Sequence, residues 1–208
     1  MEQIFSKRLI AVLIVENERH AEPMAEALIS EGLDVLEVTF RTASAAAVIQ
    51  RIVKAFPKAC VGAGTVLDAE SVLRAMDAGA AFGVAPGVNE NVVSLARDKG
   101  WPFIPGVMTP SDIERALVLG CRRLKFFPAE AAGGVKMLKA LAGPYAHTGV
   151  RFVPTGGINP ANAPEYLKLP AVAALGGTWL ATPEMLAAED WPRIRATAKE
   201  AAALAKKT

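Results

Sequence analysis

Two apolar runs in this sequence carry polar side chains at alternate positions, where a buried strand should have none. In Val35-Leu36-Glu37-Val38-Thr39-Phe40-Arg41, the even-numbered residues form an apolar face and Glu37, Thr39 and Arg41 fall on the other. In Arg123-Leu124-Lys125-Phe126-Phe127-Pro128, Leu124 and Phe126 make the apolar face, leaving Lys125 and Phe127 opposite. Of the eleven lysines, Lys125 is the one placed within a strand. Burial penalises an ammonium ion, so a lysine in such a run tends toward the neutral amine, the nucleophile that Schiff-base formation with a ketone requires. Glu37 is the candidate to move protons beside it. Two plainer arrangements stay open: a structural ion pair between Glu37 and Arg41, or one between Glu37 and Lys125. The first must span about 13 Å of strand at roughly 3.3 Å per residue. The second still sets an amine beside a proton-transfer group. Lys136, the competing lysine, falls in a helical pattern and reads as surface.

Three glycine strings add a second kind of chemistry. Gly62-Ala63-Gly64-Thr65, Thr155-Gly156-Gly157 and Gly176-Gly177-Thr178 each end a strand-like run. Glycine lets the backbone approach a ligand with its N–H groups exposed, and such loops suit an anion, typically phosphate. Thr65 has two readings: a hydroxyl for a substrate carboxylate, or the cap of the helix that begins near Asp68.

Strand-like runs are expected at Leu9–Val15, Val35–Phe40, Cys60–Gly64, Phe82–Ala85, Pro102–Pro105, Arg123–Phe127, Val150–Pro154 and Val172–Leu175. Helical patterns fall near 20–30, 44–55, 69–77, 89–98, 111–118, 134–141, 161–167 and 190–206, and Gly32, Gly79, Gly100 and Gly120 stand where helices should stop. Eight such units leave about 26 residues each, enough for a strand, a crossover helix and short loops. Unbroken alternation implies a parallel sheet under helices. Eight units, with no Gly-x-Gly-x-x-Gly after the first strand, favour a (β/α)8 barrel over a doubly wound sheet, as one domain over residues 1–208. In that fold the polar faces point inward and the glycine loops after the last two strands make the usual phosphate cradle.

Composition removes other classes. With 52% hydrophobic residues and a formal net charge of +2, the chain is neither disordered nor a nucleic-acid surface, and its basic runs stop at the pairs Arg122-Arg123 and Lys206-Lys207. Cys60 and Cys121 form no CxxC pair, and with His20 and His147 they build no metal cluster by spacing, so no metal or cofactor is expected. Both histidines read as surface. The N-terminus lacks signal-peptide order, and the apolar stretch 172–188 is broken by Gly176-Gly177 and Pro183, so a cytoplasmic protein without a membrane span is expected.

Taken together, Leu36-Glu37-Val38-Thr39-Phe40-Arg41, Val61-Gly62-Ala63-Gly64-Thr65-Val66-Leu67, Ala85-Pro86-Gly87, Leu124-Lys125-Phe126-Phe127-Pro128-Ala129-Glu130 and Val153-Pro154-Thr155-Gly156-Gly157-Ile158 closely resemble the 2-keto-3-deoxy-6-phosphogluconate (KDPG) and 4-hydroxy-2-oxoglutarate aldolases, in order and over nearly the whole chain. The resemblance implies a metal-independent class I aldolase, usually a homotrimer, that cleaves KDPG to pyruvate and glyceraldehyde 3-phosphate in the Entner–Doudoroff route. By motif it assigns imine formation to Lys125 and acid/base work to Glu37. Arg41 and Thr65 would hold the pyruvate carboxylate, and Pro86 and Phe127 would line the pocket. Thr155, Gly156, Gly157, Gly176, Gly177 and Thr178 would receive the polar tail and phosphate. Two departures stand out: Thr178 where many members have Ser, and Val15 where some carry Arg. Three other readings are consistent with the same residues: cleavage of the unphosphorylated 4-hydroxy-2-oxoglutarate, a phosphosugar isomerase or epimerase using Lys125 and Glu37 without covalent attachment, and a phosphosugar-binding sensor.

Overall fold

A computed structural model describes residues 2–206; Met1, Thr208 and Lys207 of the Lys206-Lys207 pair lie outside them. The strands are β1 (Leu9–Leu13), β2 (Val35–Thr39), β3 (Cys60–Gly64), β4 (Phe82–Val84), β5 (Phe103–Ile104), β6 (Gly106–Val107), β7 (Arg123–Phe126), β8 (Arg151–Pro154) and β9 (Leu175–Gly177). The helices are α1 (Glu2–Phe5), α2 (Ala21–Ile29), α3 (Ala45–Ala55), α4 (Ala69–Asp77), α5 (Glu90–Asp98), α6 (Pro110–Val118), α7 (Gly134–Tyr145), α8 (Ala163–Leu167), α9 (Pro183–Ala187) and α10 (Trp191–Lys206). Gly32, Gly79, Gly100 and Gly120 all adopt positive φ just past helix ends, the left-handed stop expected of them.

Every strand pairing is parallel, and the result is an α/β fold on a curled sheet. Six strands follow the order β5-β4-β3-β2-β1-β9 and three follow β6-β7-β8. Single bridges join Phe152 to Val172 and Thr155 to Gly176. The side-chain alternation divides the interior in two. Leu9, Ala11, Leu13, Leu36, Val38, Leu124 and Phe126 pack outward against the helices. Ile10, Val35, Cys60, Phe82, Val84, Ile104 and Val153 form a smaller core on the concave face, closed at the strands' N-terminal end by Ile4 of α1. Glu37 lies two residues beyond Val35, and Lys125 pairs in register with Val153, so both share the face of that smaller core.

Several boundaries differ from expectation. Pro105 has no N–H for a ladder, so the expected fifth strand stops at Ile104, which pairs with Val84, and a further short strand follows in which Gly106 pairs with Lys125. The second strand stops at Thr39, so Phe40 and Arg41 form a turn. The last strand is shifted toward the C-terminus, which puts Gly176 and Gly177 inside β9 instead of in a loop. Both are buried because neighbours fill the space of their missing side chains: Thr155 Oγ1 over Gly176 and the Trp179 ring over Gly177. Helices α1 and α9, of 4 and 5 residues, are too short to show a period in the sequence. His20, expected at the surface, is 9% exposed, held edge-on to Trp191 and hydrogen-bonded to Glu189. Among the described residues no helix is long and apolar enough to cross a membrane.

Candidate active site

Lys125 and Glu37 meet across the concave face. The Nζ of Lys125 donates to Glu37 Oε1 at 3.2 Å, and the two residues are 6% and 2% exposed. This contact ties β7 of the three-stranded sheet to β2 of the six-stranded sheet. The structural pair left open by the sequence is therefore Glu37–Lys125 and not Glu37–Arg41. The Phe127 ring lies 5.3 Å from the same ammonium, an added cation–π contact. Beside them, Thr39 Oγ1 donates to the Leu13 carbonyl, so its hydroxyl is satisfied by β1.

The seat of the carboxylate is made by Gly64, which the sequence reading placed in a glycine string that approaches a ligand. A Cβ added to Gly64 would overlap Glu37 Oε1 and crowd its Cγ and Cδ. Glu37 and Gly64 sit on adjacent strands, with Thr39 in register with Gly64. Only a residue without a side chain at 64 leaves the carboxylate room to face Lys125. Gly64→Ala is expected to keep the fold, since φ there is ordinary, but to displace the carboxylate and lower kcat by about 10²-fold, the scale of a 1 Å misplacement. A melting curve together with steady-state kinetics checks this.

Because the strands are parallel, the residues that follow them gather at one end, the end that carries function in parallel α/β sheets. Thr65 follows β3, Phe127 follows β7, Thr155 follows β8 and Thr178 follows β9, while Pro86 lies two residues past β4 and Arg41 two past β2. Thr65 is half-buried with φ 58°, a backbone state that costs a β-branched residue about 1–3 kcal/mol. The capping alternative for Thr65 falls, because Asp68 is the N-cap of α4 and accepts from the Ser71 N–H at 2.7 Å. Pro86 and Phe127 are half-buried. Arg41 and Thr178 are exposed at the rim, and Arg41 lies in the turn after β2, outside the extended register that had included it. Thr155 is 3% exposed and its hydroxyl donates to the Val153 carbonyl at 3.3 Å.

The Gly156-Gly157 turn has a support that the sequence did not reveal. Both glycines adopt positive φ, 98° and 78°. The backbone N–H groups of Ala129 and Glu130 donate to the carbonyls of Thr155 and Gly156, at 2.8 and 3.1 Å. Among the described residues no acceptor is paired with the N–H of Gly157, while Thr155 and Gly176 are bridged on the side of the turn facing β9. Under the turn, the buried Tyr166 hydroxyl donates a short hydrogen bond to Glu130 Oε1. Burial, reinforced by Glu130, pushes the phenol well above its ordinary pKa, so it stays a donor. A Cβ on Gly157 would come within 2.7 Å of Glu130 Cβ. Glu130 and Tyr166 are 36 residues apart, and no local spacing connects them.

Comparison with known proteins agrees with this geometry. The family model "KDPG and KHG aldolase" matches residues 1–197. The chain belongs to the KDPG/KHG aldolase family. This family member is 46% identical over 193 residues to the KHG/KDPG aldolase of Escherichia coli K12, covering 93% of this chain and 90% of that protein. Its fold matches a KDPG aldolase from Legionella pneumophila, crystallised with pyruvate captured as a covalent carbinolamine, with a TM-score of 0.90 and 38% identity over 94% of this chain and 95% of the other. It also matches the Zymomonas mobilis KDPG aldolase with 3-phosphoglycerate, with a TM-score of 0.89 and 42% identity over 98% and 97% of the two chains.

Proposed function

We propose that this family member is a class I aldolase that cleaves KDPG to pyruvate and glyceraldehyde 3-phosphate, with Lys125 as the imine-forming residue and Glu37 as its acid/base partner. The observation that carries this reading is the buried 3.2 Å contact between an amine and a carboxylate on opposite strands. Imine formation needs a neutral amine, and Glu37 Oε1, 3.2 Å from Lys125 Nζ, is placed to hold the proton it gives up. The Lys125 amine then attacks the C2 ketone, whose oxygen takes the proton from Glu37 to give the carbinolamine. Loss of water leaves a protonated imine. Glu37, again a carboxylate, removes the C4 hydroxyl proton directly or through one water. The C3–C4 bond breaks, its electron pair passes into the imine to form an enamine, and the aldehyde leaves. Glu37 returns its proton to C3, and hydrolysis frees pyruvate and the amine.

Around this centre, Arg41 and the Thr65 hydroxyl are assigned to the substrate carboxylate, a planar fork and a hydroxyl suited to two oxygens. Pro86 and Phe127 form the walls beside C2. Thr155, Gly156, Gly157, Gly176, Gly177 and Thr178 are assigned to the polar tail and phosphate; the positive φ of both turn glycines and the unpaired N–H of Gly157 support the turn's part in it. Tyr166→Phe removes the hydrogen bond that braces this turn through Glu130. It is expected to raise KM for KDPG about tenfold, the equivalent of roughly 1.4 kcal/mol, with kcat nearly unchanged. The KM for unphosphorylated 4-hydroxy-2-oxoglutarate should not move, and steady-state kinetics on both substrates reads the difference.

The fold that goes with this reading is a closed (β/α)8 barrel as one domain over residues 1–208. The β5–β6 segment, which pairs with both sheets, and the two single bridges near β9 support it. A cytoplasmic homotrimer is part of the same proposal, supported by the family and by exposed Leu67, Leu73 and Met108. Cleavage of 4-hydroxy-2-oxoglutarate is the second activity, favoured by the name of the E. coli relative. Incubation of the purified chain with KDPG tests the reading: equal amounts of pyruvate and glyceraldehyde 3-phosphate are expected. Tight binding without consumption would select a sensor, and an isomeric product an isomerase.

A further inference from the structure

The N-terminal end of the sheet carries a cluster of charge that this reaction does not use. The alternation that turns Lys125 and Val153 onto the concave face does the same for Arg123 and Arg151 two residues earlier, and the ladder pairs these two arginines directly. Arg8 directly precedes β1 and feels the charge of Arg151: burial, and then that neighbour, hold its guanidinium below its ordinary pKa. Arg123 is depressed in the same way, by burial and by Arg151. Each guanidinium is fixed by main-chain carbonyls. Arg8 Nη2 donates to Leu167 at 2.6 Å, Arg151 Nη2 to Val172 at 2.8 Å, and Arg123 Nη1 to Arg122 at 3.1 Å and Gly149 at 3.4 Å. Phe5 of α1 lies against Arg123, 5.9 Å from ring centre to guanidinium.

What is missing is negative charge. Arg19, Arg51, Arg74, Arg97 and Arg115 each have a carboxylate within ion-pair distance. Among the described residues, Arg8, Arg123 and Arg151 have none, although all three are half-buried. The Nε of Arg151 is buried and donates to nothing. Asp34, at the head of β2, forms no ion pair with these arginines, and its own Oδ1 is buried without a hydrogen-bond partner. Three like charges held close together and partly shielded from water repel one another, and carbonyl dipoles offset that only in part.

We propose that Arg8, Arg123 and Arg151 bind a small divalent oxyanion, of the size of inorganic phosphate, at the end of the sheet opposite the functional residues. The anion satisfies the free donors of three guanidinium groups that the fold has already positioned, and it stabilises the folded chain by mass action. The site is separate from the proposed substrate cradle, which lies at the strands' C-terminal end.

Two measurements on the full chain test it, chosen so that phosphate in the substrate cradle cannot imitate the result. Inorganic phosphate, compared with sodium chloride at equal ionic strength, is expected to raise the wild-type Tm by roughly 5–11 °C at about 100 times the dissociation constant. Arg151→Met and Arg123→Met should each lose at least half of that rise while keeping KDPG turnover. In crystals grown with tungstate, anomalous density is expected among the three guanidinium groups. An undiminished rise in both variants overturns the proposal, and so does tungstate found at the other end only. Should either variant fail to fold, the tungstate position decides.

Discussion

Lys125→Ala is expected to lower kcat/KM for KDPG by about 10⁵-fold or more, the low end of what a nucleophile held in place supplies over one in solution. No other residue can substitute. Among the described lysines, Lys125 alone lies within a strand and faces the smaller core. The loss also has a structural side: removal of the amine leaves Glu37, 2% exposed, without its partner. Breaking a buried pair costs about 3–5 kcal/mol. A Lys125→Met variant, which fills the same space, should therefore accompany it. Both variants are expected to melt cooperatively and to show no turnover, which separates loss of chemistry from loss of fold. Normal activity in a folded Lys125→Met chain would rule out covalent catalysis at this position.

Glu37→Gln is expected to separate the two halves of the reaction. The amide has the size of the carboxylate and its oxygen can still accept from Lys125 Nζ, but it carries no proton to or from substrate. Turnover should fall by about 10²–10⁴-fold, the usual contribution of a positioned acid or base. Imine formation with pyruvate should survive at a reduced rate. Exchange of the pyruvate methyl protons with deuterated solvent, which needs the enamine to be formed and reprotonated, should fall along with turnover. Exchange at the wild-type rate in Glu37→Gln would assign the proton transfers to another group, such as a bound water.

The part of this site legible in the sequence rested on alternation. A strand has a strict period of two, so Glu37 and Lys125 could be assigned to one face from their neighbours alone, and the structure puts them on that face. The same argument overreached at Arg41, because alternation says nothing about where a strand ends; β2 stops at Thr39 and Arg41 is exposed in the turn that follows. Helix stops at Gly32, Gly79, Gly100 and Gly120 were legible because positive φ favours one residue type. Thr65, at φ 58°, was not, since a β-branched residue gives no hint of that backbone. Gly64 and the Glu130–Tyr166 brace depend on which side chains meet across strands and loops, and that is decided by tertiary packing. The pairing of Glu37 with Lys125, rather than with Arg41, belongs to the same class of fact.

The central claim is that the Lys125 amine forms a covalent bond with a 2-keto acid. Its most direct test is borohydride reduction of the purified chain in the presence of pyruvate, followed by peptide mass analysis. One reduced pyruvyl adduct per chain, on the peptide carrying Lys125 and absent from Lys125→Met, is the predicted result. No adduct, or an adduct on a surface lysine that persists in that variant, would contradict it.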